Sequence, residues 1–555
     1  MRRAMMVLGG VLAAALLAVL PVSHALATPP DTDEVKDQPG MEPPVTRGMP
    51  DLVRYWNFDP PRSPLFDIGK VTISGDARMR PEYRNNSNFG LANTSGLGRA
   101  TGAASNGVTD QFIQQWARLG LNYAVSQDVD TFFQMQYAKN WGANNSPNAA
   151  NDPNTLTSLG IRQAYILIRN LGVEGLSIKG GRQLIVMGNQ RLFGSFDWSN
   201  IGFSFDGVTL QYSRKMYEVW GGWVRLADTE ANLANSSCGT GATACAGGGG
   251  IVATGAGNAD ADLFFARVVF KPMAGLAVEP LWVYLNNNAA VAPGGNSAVG
   301  TASTFGGTAA HAPGQQRHTL GGRIAYRKGL FDGTAESYWQ TGSMGLAQSS
   351  NRLHINAHAM AVEGGLTIEQ MPWTPRFGVE FNYASGDGNA KNCNGSTGDG
   401  CGGNVNTFEN LYPTNHILMG YADRMAWRNM VGYSASLQLK PSLAQHLDFR
   451  FWVFRKANNN DCWYTASQGC FSTATAAGNS DGGTTTDIAT SNSLYKEIDG
   501  VYTLFFKDNK VAWQTGVSYL IAGKMLDQLA AGNAAGSGAS AVNSIWAYTQ
   551  VHVNF

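Results

Sequence analysis

The chain ends on S-I-W-A-Y-T-Q-V-H-V-N-F, residues 544–555. Successive side chains of an extended strand point to opposite faces. Ile545, Ala547, Thr549, Val551, Val553 and Phe555 therefore share one face, and Trp546, Tyr548, Gln550, His552 and Asn554 share the other. A free sheet edge this apolar invites pairing with another chain, so a soluble protein rarely ends on one. In a closed barrel the last strand pairs with the first and no edge remains. A half-buried strand of a soluble sandwich shows the same alternation, so the rest of the chain has to decide.

Composition narrows the choice. The 555 residues carry 40 acidic and 40 basic side chains, so net charge points to neither nucleic acid nor an acidic partner. Charged residues make up 14 %, against about 25 % in an ordinary soluble domain. After the N-terminus no stretch reaches the ~18 unbroken apolar residues of a spanning helix. Little charge, much Gly and aromatic content and no long apolar run fit a transmembrane β-barrel, whose apolar signal is spread over alternating strands.

The N-terminus agrees. Arg2 and Arg3 precede an apolar run over 4–20, and Ala25-Leu26-Ala27 offers a small-residue cleavage site. Residues 1–27 read as a secretory signal peptide. Residues 28–69, rich in Pro, Asp and Glu, read as a flexible periplasmic segment ahead of a barrel spanning 70–555. Six cysteines fall into three close pairs, Cys238 with Cys245, Cys393 with Cys401 and Cys462 with Cys470. Local disulfides in an oxidising compartment are the expectation, although six cysteines allow fifteen pairings. The spacings are too wide for a zinc site, and no C-x-x-C-H haem motif occurs, so neither a metal nor a cofactor is expected.

From Val71 onward, eighteen alternating segments recur to the C-terminus. Their links sort by length. Long links cover 85–110, 142–159, 187–200, 228–259, 288–315, 342–353, 387–427, 458–492 and 523–543. Short ones cover 126–128, 170–174, Arg214, 273–275, Lys328, 368–374, 441–445 and 508–509. Strict long/short alternation predicts an all-β, antiparallel, up-and-down barrel of the Gram-negative outer membrane, with long extracellular loops and short periplasmic turns. An even strand count leaves both termini in the periplasm. All three cysteine pairs lie in long links.

Alternation also assigns faces. An arginine at the bilayer midplane costs about 2–4 kcal/mol on the lipid side, so charged positions turn inward. In the first strand Asp76, Arg78 and Arg80 alternate with Val71, Ile73, Ala77 and Met79. The same test turns inward Arg118, Arg267 with Lys271, Arg323, Glu336, Arg376 with Glu380, Asp448 with Arg450, and Glu497 with Asp499. Phe449, Phe451, Trp513 and Tyr519 suit the lipid-facing band. Such a lumen can pass an anion between guanidinium groups, which stay charged and grip carboxylate in a bidentate manner. Equally, the charges can pair and brace the wall.

Three segments resemble the alginate-export outer-membrane family, whose members are eighteen-stranded barrels. They are V-T-I-S-G-D-A-R-M-R-P-E-Y-R at 71–84, G-R-Q-L-I-V-M-G-N-Q-R-L-F-G-S-F-D-W-S-N-I-G-F-S-F-D-G-V at 181–208, and Y-K-E-I-D-G-V-Y-T-L at 495–504. The middle block is the distinctive one. The family pattern often has an acidic residue before Arg191, where this chain has Asn189 and Gln190. The resemblance implies an electropositive lumen exporting an anionic polysaccharide, with Arg78, Arg80, Arg182, Arg191, Asp197 and Asp206 at the constriction and its loop. Loop 187–200 joins neighbouring strands and can fold inward to narrow the pore. Alternatively, Arg191 and Asp197 pair and hold that loop to the wall.

The leading expectation is a passive channel for anionic or polar solutes, including an alginate-like exopolysaccharide, surrounded by outer-membrane lipid. An outer-membrane hydrolase would need a convergent Ser/His/acid or paired-acid group, and His311, His318, His354, His358, His416, His446 and His552 are scattered without a persuasive partner. A surface adhesion or assembly barrel is the third class. The terminal strand should lie against 70–84, setting His552, Gln550 and Tyr548 beside Asp76, Arg78 and Arg80. Phe555 would then sit at the periplasmic rim, where the barrel-assembly machinery could read it.

Overall fold

The computed structural model describes residues 66–68, 70–91, 109–141, 159–227, 261–287, 315–345, 352–388, 404–416, 418–459, 461, 463–466, 470–471, 491–506, 510–533 and 540–554. Eighteen of its strands form one ring. In order they are β1 Val71–Asn85, β2 Thr109–Ala124, β3 Val129–Asn140, β4 Gly160–Ile168, β5 Leu176–Gln183 and β6 Phe205–Arg214. Then come β7 Tyr217–Ala227, β8 Ala261–Met273, β9 Leu276–Asn287, β10 Gln315–Lys328, β11 Phe331–Gly345 and β12 Arg352–Thr367. The ring ends with β13 Arg376–Ala384, β14 Met430–Ser442, β15 Gln445–Lys456, β16 Ser493–Phe506, β17 Val511–Ala522 and β18 Ser544–Asn554. Each pairs antiparallel with its chain neighbours, and β18 closes on β1 with Arg78 opposite His552 and Tyr83 opposite Ala547.

β10 illustrates why the chain adopts this form. Arg317, Thr319, Arg323 and Ala325 are buried inside, while Leu320, Ile324 and Tyr326 are exposed on the outer face. The period is two, and inversion would put two arginines into lipid. Around the ring the outer face is apolar, with Met79, Leu119, Ile166, Leu210, Val362 and Val379 among its exposed residues. No helix among the described residues is long and apolar enough to cross a membrane, and the strands make that crossing.

Several features lie outside strict alternation. Residues 66–68 pair with the start of β1, Ile68 opposite Val71. They cover the edge of β1 below Asp76, where β18 has ended, so no ladder stays open there. A two-residue strand, Asn404–Val405, runs parallel to β12. The long link 523–543 contains helix α1 at Lys524–Asn533. Its Met525, Leu526, Leu529 and Ala530 are buried in an apolar cluster with Phe89, Phe193, Phe408, Trp427 and Trp463. At the long-link end the loops therefore pack into one apolar cluster with inward-facing strand residues such as Phe132, Phe265, Trp452 and Trp546.

The signal peptide, residues 28–65, Cys238, Cys245, Cys393, Cys401, Cys462, His311 and Phe555 lie outside the described residues, as does the side chain of Cys470.

Candidate channel interior

The interior has two walls of opposite character. β1, β2 and β4 turn Arg78, Arg80, Arg118 and Arg162 inward, with Asp76 and Glu82 as the acids of β1. β11–β13, β15 and β16 turn in Glu336, Glu363, Glu380, Asp448, Glu497 and Asp499, with Arg376, Arg450 and Lys456 as cations. All are at most 5 % exposed. A buried charge needs a partner, since desolvation without one costs far more than any single contact returns.

On the basic wall many of the partners are neutral. Arg78 donates to the carbonyl oxygens of Asp197 at 2.8 Å and Trp198 at 3.1 Å, and Arg80 donates to that of Trp198 at 2.8 Å. The guanidinium carbons of Arg78 and Arg118 lie 3.5 and 3.9 Å from the centroid of Trp116. Two groups so close to one ring must occupy its opposite faces, each gaining from the ring quadrupole. Trp116 in turn donates to Asp76 Oδ1 at 2.6 Å, which His552 Nε2 meets at 3.2 Å across the closing seam. Ionic partners are Glu82, bound by Arg80 and Arg84 at 2.8 Å each, and Asp197. The Asp197 carboxylate lies 2.8 Å from Arg118 and 3.0 Å from Arg162.

On the acidic wall the partners are mostly arginines. Arg191 ion-pairs with Glu336 at 2.6 Å and Glu380 at 2.5 Å. Arg450 holds Asp448 at 3.0 Å and approaches Glu380 at 4.0 Å. Arg376 holds Asp332 at 2.5 Å and lies 3.8 Å from Glu363. On the sector between the walls Arg267 pairs with Glu279 at 2.5 Å, and Arg323 pairs with the same carboxylate.

Loop 184–204 crosses from one wall to the other as a strap. Asp197 reaches the basic wall and Arg191 the acidic wall, six residues apart along the chain, a separation that can span about 20 Å. Asn189 adds bonds to Arg323 at 2.7 Å and Thr334 at 3.1 Å. A second loop, 404–429, lies against the strap through backbone bonds of 2.9 Å each, Gly194 to Tyr412, Tyr412 to Leu192 and Thr414 to Gln190. A Cβ on Gly194 would stand 2.2 Å from Thr414 Oγ1, so this approach requires glycine. His416 stacks on Trp198 at 3.6 Å with the rings 4° from parallel, and the Arg80 guanidinium carbon lies 3.7 Å from the same ring. The loop also reaches the acidic wall, where Ala422 N donates to Glu497 Oε1 at 2.8 Å.

These surroundings shift two loop groups. Burial alone would push the Asp197 carboxyl up; the charges of Arg118 and Arg162 outweigh it and hold the group at about 2. Burial lowers the His416 imidazole, and Asp423 at 3.1 Å only partly offsets this.

Of the residues read as pore-lining, Asp76, Arg78, Arg80, Arg118, Arg267, Arg323, Glu336, Arg376, Glu380, Asp448, Arg450, Glu497 and Asp499 face inward from strands. Arg191 and Asp197 lie inside on the strap, each bound to the wall rather than to the other. Arg182 and Asp206 are a correction. Lys179 and Gln183 on β5, and Phe205, Thr209 and Gln211 on β6, take the inward parity. Arg182 and Asp206 consequently face outward, their side chains 38 and 62 % exposed and paired at 2.7 Å. Lys271 keeps inward parity but is exposed at the short-turn end.

Sequence reading missed Arg162, Glu279, Trp116, Trp198 and His416 as interior groups. The inward test applied to Glu336 would have found Glu279 on β9. A register shift between Gln134 and Met135, opposite β4, buries both Arg162 and Gln163 and defeats simple alternation.

The family described as alginate export matches residues 70–232 and 255–535. Solved structures similar to this chain include the Pseudomonas aeruginosa proteins OpdQ and OccD3 (OpdP) and Acinetobacter baumannii OccAB4. OpdQ is 12 % identical with a TM-score of 0.46, covering 87 % of this chain and 97 % of its own. OccD3 is 11 % identical at 0.46, with 87 and 91 % covered. OccAB4 is 9 % identical at 0.45, with 87 and 98 % covered. No curated protein matches the chain. With the family match covering most of its length, the chain belongs to the alginate-export family, and it is an outer-membrane channel of a Gram-negative bacterium rather than an enzyme.

Proposed function

We propose that the channel passes anionic solutes through an arginine-containing lumen, and that an alginate-like exopolysaccharide moving outward is the cargo its chemistry suits best. The carrying observation is the convergence of Arg118 and Arg162 on the Asp197 carboxylate of the protein's own strap, with Arg78 donating to the backbone carbonyl of the same residue. A cluster that holds one carboxylate in a desolvated site can hold the carboxylate of a uronate in its stead. Neutral partners on the same wall favour this reading, because carbonyl groups and ring faces exchange for an anion with no opposing charge left behind.

Conductance in planar bilayers tests it. The intact barrel should carry an anion-selective current. Replacing Arg78, Arg118 and Arg267 with Ala should weaken that selectivity, and Asp197→Asn should raise binding of oligouronate added to one side. A current without anion preference in wild type would overturn the anionic cargo. No current even after deletion of 187–200 would overturn the open lumen.

A further inference from the structure

The short-turn end carries a surface that passage through the lumen does not use. Val125, Val173, Met216, Leu330, Trp373 and Leu443 sit in six different short turns and are 41–62 % exposed. Tyr217, Phe270, Tyr326 and Phe377 stand exposed on the outer face beside them and continue the lipid-facing band down to the turns. A partner meeting turns all around a closed ring, in continuity with that band, is the leaflet around the barrel.

Charge narrows the lipid. Outward cations at the long-link end are mixed: Arg182 is balanced by Asp206 and Arg225 by Asp262 at 3.1 Å, while Arg455 and Lys496 stand singly on separate strands with no ion pair among the described residues. Exposed cations at the short-turn end, Arg214, Lys215 and Lys328, have no ion pair among the described residues. Arg214 and Lys215 lie together between β6 and β7. The Arg214 Nε donates to Tyr212 Oη at 3.1 Å, its guanidinium carbon lies 4.9 Å from that ring, and Tyr217 packs alongside with ring centroids 6.0 Å apart. A Cβ on Gly175 would stand 2.7 Å from Arg214 Nη1, so the guanidinium rests on the neighbouring turn. Lys271 N bonds to Met216 O at 2.7 Å and brings a third cationic residue alongside. Nearby acids are Glu174, exposed in the next turn, and Glu218, which has the inward parity of β7.

We propose that Arg214 and Lys215, framed by Tyr212, Tyr217 and Met216, form a ledge that binds the phosphate of an anionic phospholipid in the leaflet at the short-turn end. The guanidinium and ammonium supply the donors, the tyrosines take the glycerol and upper acyl region, and Met216 enters the apolar layer.

The test is native mass spectrometry of the full-length barrel released from nanodiscs of phosphatidylcholine with a minority of phosphatidylglycerol. The wild-type protein should retain phosphatidylglycerol above its share of the bilayer, and added salt should reduce the excess. Arg214→Gln with Lys215→Gln should lower the excess, by about fivefold for each cation removed, while Arg182→Gln at the other end should not. Equal retention of the two lipids by wild type would overturn the proposal, and that comparison needs no variant to fold. Displacement of the retained lipid by inorganic phosphate at constant ionic strength would also overturn it, since the site would then read free phosphate. So would unchanged retention in the double variant, which would point to a periplasmic protein as the occupant of these turns.

Discussion

The basic and acidic walls are built by the same device, an alternating strand with its charges turned inward, yet they satisfy those charges differently. Glu336, Glu380 and Asp448 are neutralised by Arg191 and Arg450. Arg78 has two carbonyls and the face of Trp116, and Arg80 has a carbonyl and the face of Trp198 besides Glu82. Ionic closure fixes one arrangement, because removing either partner strands a buried charge. Neutral closure can be exchanged. Under the proposed anion passage, Arg78 and Arg80 of β1 are the groups whose partners exchange most readily, while β11 and β13 anchor the strap.

Removing the anchor should have the largest effect. Arg191→Ala leaves Glu336 and Glu380 facing each other's field without their shared cation, and we expect a loss of about 3–5 kcal/mol. Urea unfolding in detergent micelles measures it; a loss below about 1 kcal/mol would break the claim that this wall is closed ionically.

The second prediction concerns acid. Asp197 lies at about 2 against an ordinary value of 3.8. A depressed carboxyl contributes stability that is present above the ordinary value and lost as pH falls through the folded one. Docking of the strap should therefore weaken by about 2 kcal/mol between about pH 4 and 2, and conductance should rise over that window. Asp197→Asn should abolish the step. A step that persists in this variant would assign it to another carboxyl.

Trp198→Ala removes a ring held between Arg80 and His416. We expect a loss of about 1–2 kcal/mol, lower than for a fully buried tryptophan because Trp198 is half-buried. Chemical unfolding followed alongside conductance would separate a stability loss from a change in the strap. The smallest effect should come from Arg182→Ala, within about 0.5 kcal/mol and with unchanged ion selectivity. A changed selectivity would mean that Arg182, although outward-facing, shapes the field of the pore.

Much of this architecture was legible in the sequence because β-barrels repeat one rule. The link lengths give the sidedness, and inward charge fixes the parity of most strands. The closing pair was readable too, with His552 meeting Asp76. Where a single residue breaks the period, the rule fails, as at Arg162 and Gln163. Arg182 and Asp206 failed differently. A motif resemblance placed them at the constriction against the parity that Gln183 and Thr209 dictate. The contacts of loop 404–429 with the strap obey no period at all, since each joins segments more than two hundred residues apart. Helix α1 did leave a trace, for Met525, Leu526, Leu529 and Ala530 follow helical spacing.

The strap also has a mechanical consequence. A wide ring of tilted strands deforms most easily by becoming oval, because that motion bends the sheet while keeping every ladder bond. A segment pinned to β2 and β4 at one end and to β11 and β13 at the other works as a tie-rod across that diameter. It resists spreading along its own line and leaves the perpendicular direction compliant. Whatever displaces Asp197 therefore frees the cross-section to change shape, and the same event that vacates the arginines softens the ring around them.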